Sequence, residues 1–261
     1  EPWQVVFLFV GLPGLLVATL MRTVREPART GLAAGSRPGE GFPLGEVLGQ
    51  LRARAGAYGF AIAGYSAAAL LWNGATAWIP TFFIRQFGWT PAEVGLRFGA
   101  VLLVFGTAGV MSGGWLASAL AHRGQSDANL RVGVLSQLLI VPAGLLAPLA
   151  GEPGAALAIF AGFCFAGSMP YGAAGAALMK ITPNQMRAQL TAIYFLFINL
   201  AGIGLGPTVV ALFTDGVFGD DLAVGRSLMA VTALAAPLAA VLLWLALKPY
   251  RRCVADAPAA G

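Results

Sequence analysis

The chain has 261 residues, 58% of them hydrophobic and only 10% charged, with a net charge of +5 and a mean hydropathy of +0.77. A soluble domain carries about 25% charged residues, so this chain cannot cover a water-facing surface and reads as an all-α integral membrane protein. Two distant cysteines (Cys164, Cys253) and one histidine (His122) leave no disulfide framework, no metal-ligand spacing and no base for a triad. No catalytic residue, metal, cofactor or nucleic-acid partner is therefore expected.

The first element is "EPWQVVFLFVGLPGLLVATLM" (1–21), an apolar run that begins two residues from Glu1. Further runs near 59–84, 98–120, 132–150, 154–179, 189–213 and 227–247 are each long enough to cross a hydrocarbon core, which takes about 20 helical residues. Residues 22–58, rich in Gly, Pro, Ala and Arg, read as a linker, with an amphipathic surface helix over Val47–Arg54. The plan is thus one span (1–21), a linker (22–58), a six-helix half (59–250) and a tail (251–261).

Charge gives the orientation. Arg22, Arg25, Arg29, Arg37, Arg52, Arg54, Arg123, Arg131, Lys180, Arg187, Lys248, Arg251 and Arg252 fall on one side, and only Arg85, Arg97 and Arg226 on the other. Basic loops stay inside, which predicts a cytoplasmic linker and C-terminus and an outside Glu1. An opening at Glu1 with neither a Met nor a signal peptide is read as the start of a fragment. An odd number of preceding spans, five for a total of twelve, would deliver Glu1 to the outside.

Within the runs, Gly95/Gly99, Gly109/Gly113 and Gly202/Gly206 form G-x-x-x-G pairs, which predict close helix contacts. No acidic residue falls at the centre of a run, so ion coupling, where it exists, is assigned to the preceding portion. The uncharged polar residues do gather. Tyr65, Ser66, Trp72, Asn73 and Thr76 fall within about 120° of one helical face, and that face is expected to line a cavity or bond a neighbouring helix. Ser168 and Tyr171 lie one turn apart in the run 154–179, and Asn199 shares a face with Thr191, Gly202 and Gly206 in the run 189–213. "GYSA" (64–67) lacks a histidine base for a hydrolase elbow, and "GIGLG" (202–206) follows no strand, so it is a packing motif.

These stretches resemble the major facilitator superfamily. "GGWLASALAHR" (113–123) is similar to a second copy of that superfamily's G-x-x-x-D-R-x-G-R loop, with Ser118 where the Asp would stand. "PNQMRAQLTAIYFLFINLAGIGLGP" (183–207) resembles its P-x-x-x-R loop entering a glycine-rich eleventh span, and "REPAR" (25–29) the end of its sixth. "WIPTFFIRQFGWTPAEVGLRFG" (78–99) and "GPTVVALFTDGVFGDDLAVGRSLMAV" (206–231) resemble the spinster-like subfamily.

The resemblance implies the C-terminal portion of a twelve-span secondary transporter: the sixth span, the central loop and spans seven to twelve. It implies alternating access around a midplane cavity for an amphiphilic or lipid-like solute, in a cell membrane, most simply a bacterial inner membrane. Partners would be membrane lipid, the small-molecule substrate and the N-terminal half of the same protein, with proton coupling through that half. The expected cavity residues are Tyr65, Ser66, Trp72, Asn73, Thr76, Ser168, Tyr171 and Asn199; the expected inner-gate and loop residues are Gly114, Ser118, Arg123, Pro183 and Arg187. A carrier for a small organic anion or sugar acid, and a seven-span receptor-like protein, stand as alternatives.

Overall fold

The computed structural model describes residues 2–24 and 43–256. Arg25, Arg29, Arg37 and about half of the expected linker, residues 25–42, lie outside them. The chain divides into two units, Glu1–Glu40 and Gly41–Gly261. The first contributes α1, Pro2–Met21, a uniformly apolar helix of 20 residues.

The second unit opens with α2, Leu44–Ala53. It places Val47 fully in the core while Leu44, Gly45 and Glu46 remain exposed; the helix expected over Val47–Arg54 starts three residues earlier, and Arg54 falls just after its end. Six long helices follow: α3 Ala55–Phe87, α4 Pro91–His122, α5 Ala128–Leu149, α6 Pro153–Lys180, α7 Asn184–Phe218 and α8 Asp221–Ala255. Each is long and apolar enough to cross a membrane. They match the sequence-predicted runs, but most reach several residues further at their ends. Hydropathy marks only the lipid-exposed length, whereas helical hydrogen bonding continues into the polar boundary. For the same reason the bundle starts at Ala55 rather than at residue 59.

Local chemistry fixes the turns. Gly88 (φ 68°) closes α3 in the left-handed conformation, its N–H donating to the Ile84 carbonyl. Two residues later Thr90 starts α4 with a reciprocal cap: its hydroxyl accepts from the Glu93 N–H (3.3 Å), and the Glu93 carboxylate accepts from the Thr90 N–H (2.9 Å).

Helix α8 lies along α3 and α5, α5 packs on α6, α6 on α4, and α7 on α3. Small residues permit these contacts. Gly109 and Gly113 of α4 meet the Phe165 and Met169 carbonyls of α6, and Gly206 of α7 meets Leu70 and Gly74 of α3. The remaining predicted pair is corrected: Gly95 and Gly99 have nothing within 4 Å of a β-carbon position, because the face of α4 that packs inward over those turns carries Val94 and Phe98.

Two large apolar clusters and a smaller one around Ala117, Val132, Met169 and Ala173 fill the bundle among the described residues. One, at the end where α3 meets α4, stacks Phe82, Phe83, Trp89, Phe160 and Phe163. The other surrounds Tyr58, Leu130, Ile181, Leu243 and Tyr250 at the arginine-rich end. Buried hydroxyls there are tied to backbone: Tyr58 donates to the Ile181 carbonyl (3.0 Å) and Tyr250 to the Ala177 carbonyl (2.8 Å). Each meets the requirement that a buried polar group be paired.

Candidate functional site

Three helices converge on a cavity of about 220 Å³. From α3 come Tyr65, Ala68, Ala69 and Trp72; from α6, Gly167, Pro170, Tyr171 and Ala174; from α7, Tyr194, Phe195 and Ile198. None of its lining residues carries a charge.

The aromatic rings are held by one another and by backbone. Trp72 stacks on Phe163 (centroids 6.4 Å, interplanar 9°) and meets Tyr171 edge-on at 6.2 Å. Tyr65 meets Tyr194 edge-on at 6.3 Å, and its hydroxyl donates to the Asn129 carbonyl (3.2 Å). Such pairs add about 0.5–1.5 kcal/mol beyond burial, so the walls are fixed in advance.

The α6 contribution depends on a break in that helix. Regular α-structure stops at Ser168, Met169–Gly172 form a tight turn of 3₁₀ helix, and α-structure resumes at Ala174. Pro170 supplies no N–H and disfavours helical geometry in the residue before it. On the far side, Gly172 lies against Val110 and Gly114 of α4, so close packing holds the interrupted turn. Opposite, α7 is π-helical over Leu200–Leu205, a geometry that resets which residues face α3.

Of the eight residues expected at a cavity, Tyr65, Trp72 and Tyr171 line this one. Asn73 stands just behind it: its amide donates to the Ala69 carbonyl (2.9 Å), packs over Gly202 and interacts with the Tyr171 hydroxyl. Thr76 bonds back to the Trp72 carbonyl (2.8 Å). The other three sit elsewhere. Ser168 is buried against Gly106 and Gly109 of α4, because the break follows it and turns Tyr171 away. Asn199 is exposed and donates to the Phe195 carbonyl (2.8 Å); it lies roughly 140° around α7 from Tyr194 at 100° per residue. Ser66 lines a second crevice between α2, α3 and α7.

The sequence marks Pro170 only as a proline that favours a kink, which the break at Met169–Gly172 bears out, and it does not single out Tyr194, Phe195 or Ile198. The sequence does carry one signal: Tyr194 lies about 60° from Thr191 at 100° per residue, on the side of the helix away from Asn199.

At the arginine-rich end, Ser118 and Arg123 are exposed. Gly114 faces the Gly172 carbonyl, Pro183 precedes the turn entering α7, and Arg187 Nε donates to the Thr182 carbonyl (3.3 Å). The carboxylate that organises this end is instead Asp127, 1% exposed, paired with Arg131 at 2.9 Å and Arg251 at 3.4 Å. It joins the turn before α5 to the end of α8. In the sequence it reads as an ordinary loop acid.

Comparison with known proteins agrees with this architecture. The family description "Major Facilitator Superfamily" matches residues 2–207. An "MFS-type efflux pump" of Mycolicibacterium smegmatis is 31% identical over 185 residues, which make up 69% of this chain and 42% of that protein. Among solved structures, a bacterial homologue of the human lysosomal transporter Spinster, inward-facing and unoccupied, aligns over 98% of this chain and 59% of its own (TM-score 0.60, 22% identity). The occupied inward-facing form aligns over 98% and 58% (TM-score 0.61, 20% identity). The chain therefore spans less than two thirds of the relatives it matches, and its fold corresponds to roughly half of theirs. It is a multi-pass membrane protein belonging to the major facilitator superfamily.

Proposed function

We propose that this chain forms the C-terminal half, with one preceding span, of a secondary active transporter that moves a small amphiphilic or lipid-like solute by alternating access. The observation that carries the reading is the uncharged aromatic pocket where α3, the broken α6 and α7 meet. Apolar rings would hold the body of a solute. The tyrosine hydroxyls and the nearby Asn73 amide would orient a polar group. The similarity to an efflux pump and to bacterial homologues of a lysosomal transporter supports a carrier. An anion or sugar-acid carrier is less well supported, since no cation lines the pocket.

Magnitude explains why a half is not a carrier. Burying about 200 Å² of apolar solute surface yields roughly 5 kcal/mol at 25 cal/mol per Å², before the entropy lost on binding. That limits one wall to millimolar affinity or weaker, on the order of 4 kcal/mol. The opposing half would supply the rest, together with any proton-coupling carboxylate. In this reading the arginine-rich end faces the cytoplasm, and Gly114, Ser118, Arg123, Pro183 and Arg187 belong to the inner gate region.

The test is transport by the full-length protein in proteoliposomes, with a lysolipid and a sugar acid, with and without a pH gradient. Lysolipid movement that falls at least tenfold in Trp72→Ala supports the reading. Sugar-acid movement indifferent to that substitution overturns both the substrate class and the site.

A further inference from the structure

The lining residues of the aromatic pocket nearest the arginine-rich end are Tyr65 on α3, Gly175 on α6 and Tyr194 on α7. Tyr65 and Tyr194 meet edge-on and are both buried, so two rings wall this end. The third position has no side chain.

The backbone does not call for a glycine there. The glycines with positive φ among the described residues are Gly88, Gly124 and Gly219. Gly175 lies in regular α-structure, Ala174–Lys180, where glycine is less stable than alanine. Packing does not call for one either. The other glycines around the pocket are pressed by neighbours: Gly167 by Trp72, Gly172 by Val110 and Gly114, and Gly202 by Asn73 and Ala69. A β-carbon at Gly175 would meet nothing within 4 Å. Because this half-buried residue lines the pocket, the space it keeps free belongs to the pocket.

We infer that Gly175 is a specificity-determining position: its missing side chain leaves the gap through which the apolar chain of a single-chain amphiphile passes from the pocket toward the arginine-rich end. The inference rests on the proposed transport of an amphiphilic solute. Tyr171 and Gly175 line the same pocket, so a head group held at the Tyr171 hydroxyl sends its chain past Gly175. Met179, one regular turn further along, is exposed and not packed across the way. The cavity, about 220 Å³, is smaller than the roughly 300–1,000 Å³ that encloses a drug-sized ligand. A long chain must leave it; a short one need not.

The test is transport of an oleoyl and a hexanoyl lysophospholipid by the full-length protein in proteoliposomes. Gly175→Leu should slow the oleoyl form at least tenfold and the hexanoyl form less than threefold. Gly175→Ala should slow the oleoyl form severalfold while the thermal midpoint holds or rises, since alanine suits a helix better; a glycine needed for packing would lower the midpoint instead. Equal slowing of the two lipids, or no slowing in either variant, overturns the inference. A second arm needs no solute. With Cys164 and Cys253 replaced by alanine, Gly175→Cys should react with a methanethiosulfonate at least tenfold faster than Ala177→Cys, whose position is fully buried. If the wild type moves neither lipid, the substrate reading falls and the labelling decides the gap: equal rates at the two positions overturn it.

Discussion

Gly167 and Trp72 form one fixed contact across the pocket: a β-carbon on Gly167 would fall 2.5 Å from Cε3 of the Trp72 indole. The indole is held from its other partners by Phe163 and Tyr171, so it has little freedom to retreat. Gly167→Ala is expected to push it into the cavity and to cost about 1–3 kcal/mol, the usual range for overpacking a filled core. A lowered thermal midpoint of the purified full-length protein, together with weakened solute binding, checks this. An unchanged midpoint would mean that the indole moves freely.

Asp127 joins α5 to α8 through Arg131 and Arg251. Asp127→Asn removes a buried charge from between two cations that are themselves about half exposed. The loss should be about 1–3 kcal/mol, below that of a fully buried pair because water screens the arginines. Arg251→Gln should cost less than Asp127→Asn, since Arg131 still holds the carboxylate at 2.9 Å. Thermal unfolding of the two variants side by side tests the order.

Thr90 and Glu93 cap α4 reciprocally. Thr90→Ala should destabilise the start of that helix by about 1 kcal/mol, and Thr90→Ser should restore most of it. Amide hydrogen exchange over residues 91–97 is the measurement. Faster exchange confined to Thr90→Ala is the expected result.

Trp78 Nε1 donates to the Pro207 carbonyl of α7 (2.9 Å), close to where Gly206 meets Gly74. Trp78→Phe keeps the ring and deletes the donor, and should cost about 0.5–1.5 kcal/mol. If that bond fixes the crossing of α3 and α7, cysteine pairs across it should cross-link over a wider range of positions in the variant. An unchanged pattern would show that the glycine contact alone holds the crossing.

Much of this protein was legible from its sequence. Six long helices and their order follow from apolar run length, because a backbone in hydrocarbon must satisfy its hydrogen bonds within the segment. The resemblance to the superfamily, read from short loop motifs, holds over most of the chain. Helical periodicity also brought together Tyr65 and Trp72, since residues on one regular helix keep their phase.

Periodicity failed where a helix stops being regular. The break at Met169–Gly172 separates Ser168 from Tyr171, and the π-helical stretch after Asn199 accompanies the outward position of that residue. Ser66 and Asp127 show a second limit. A serine's surroundings, or an acid's burial, depend on what other helices bring near it, and α7 lies far from Ser66, and α8 far from Asp127, in sequence. Sequence alone determined which segments are long and apolar enough to cross a membrane, because that depends on each segment's own transfer energy. Only the tertiary structure decided which faces meet, because packing joins side chains through space and not along the chain.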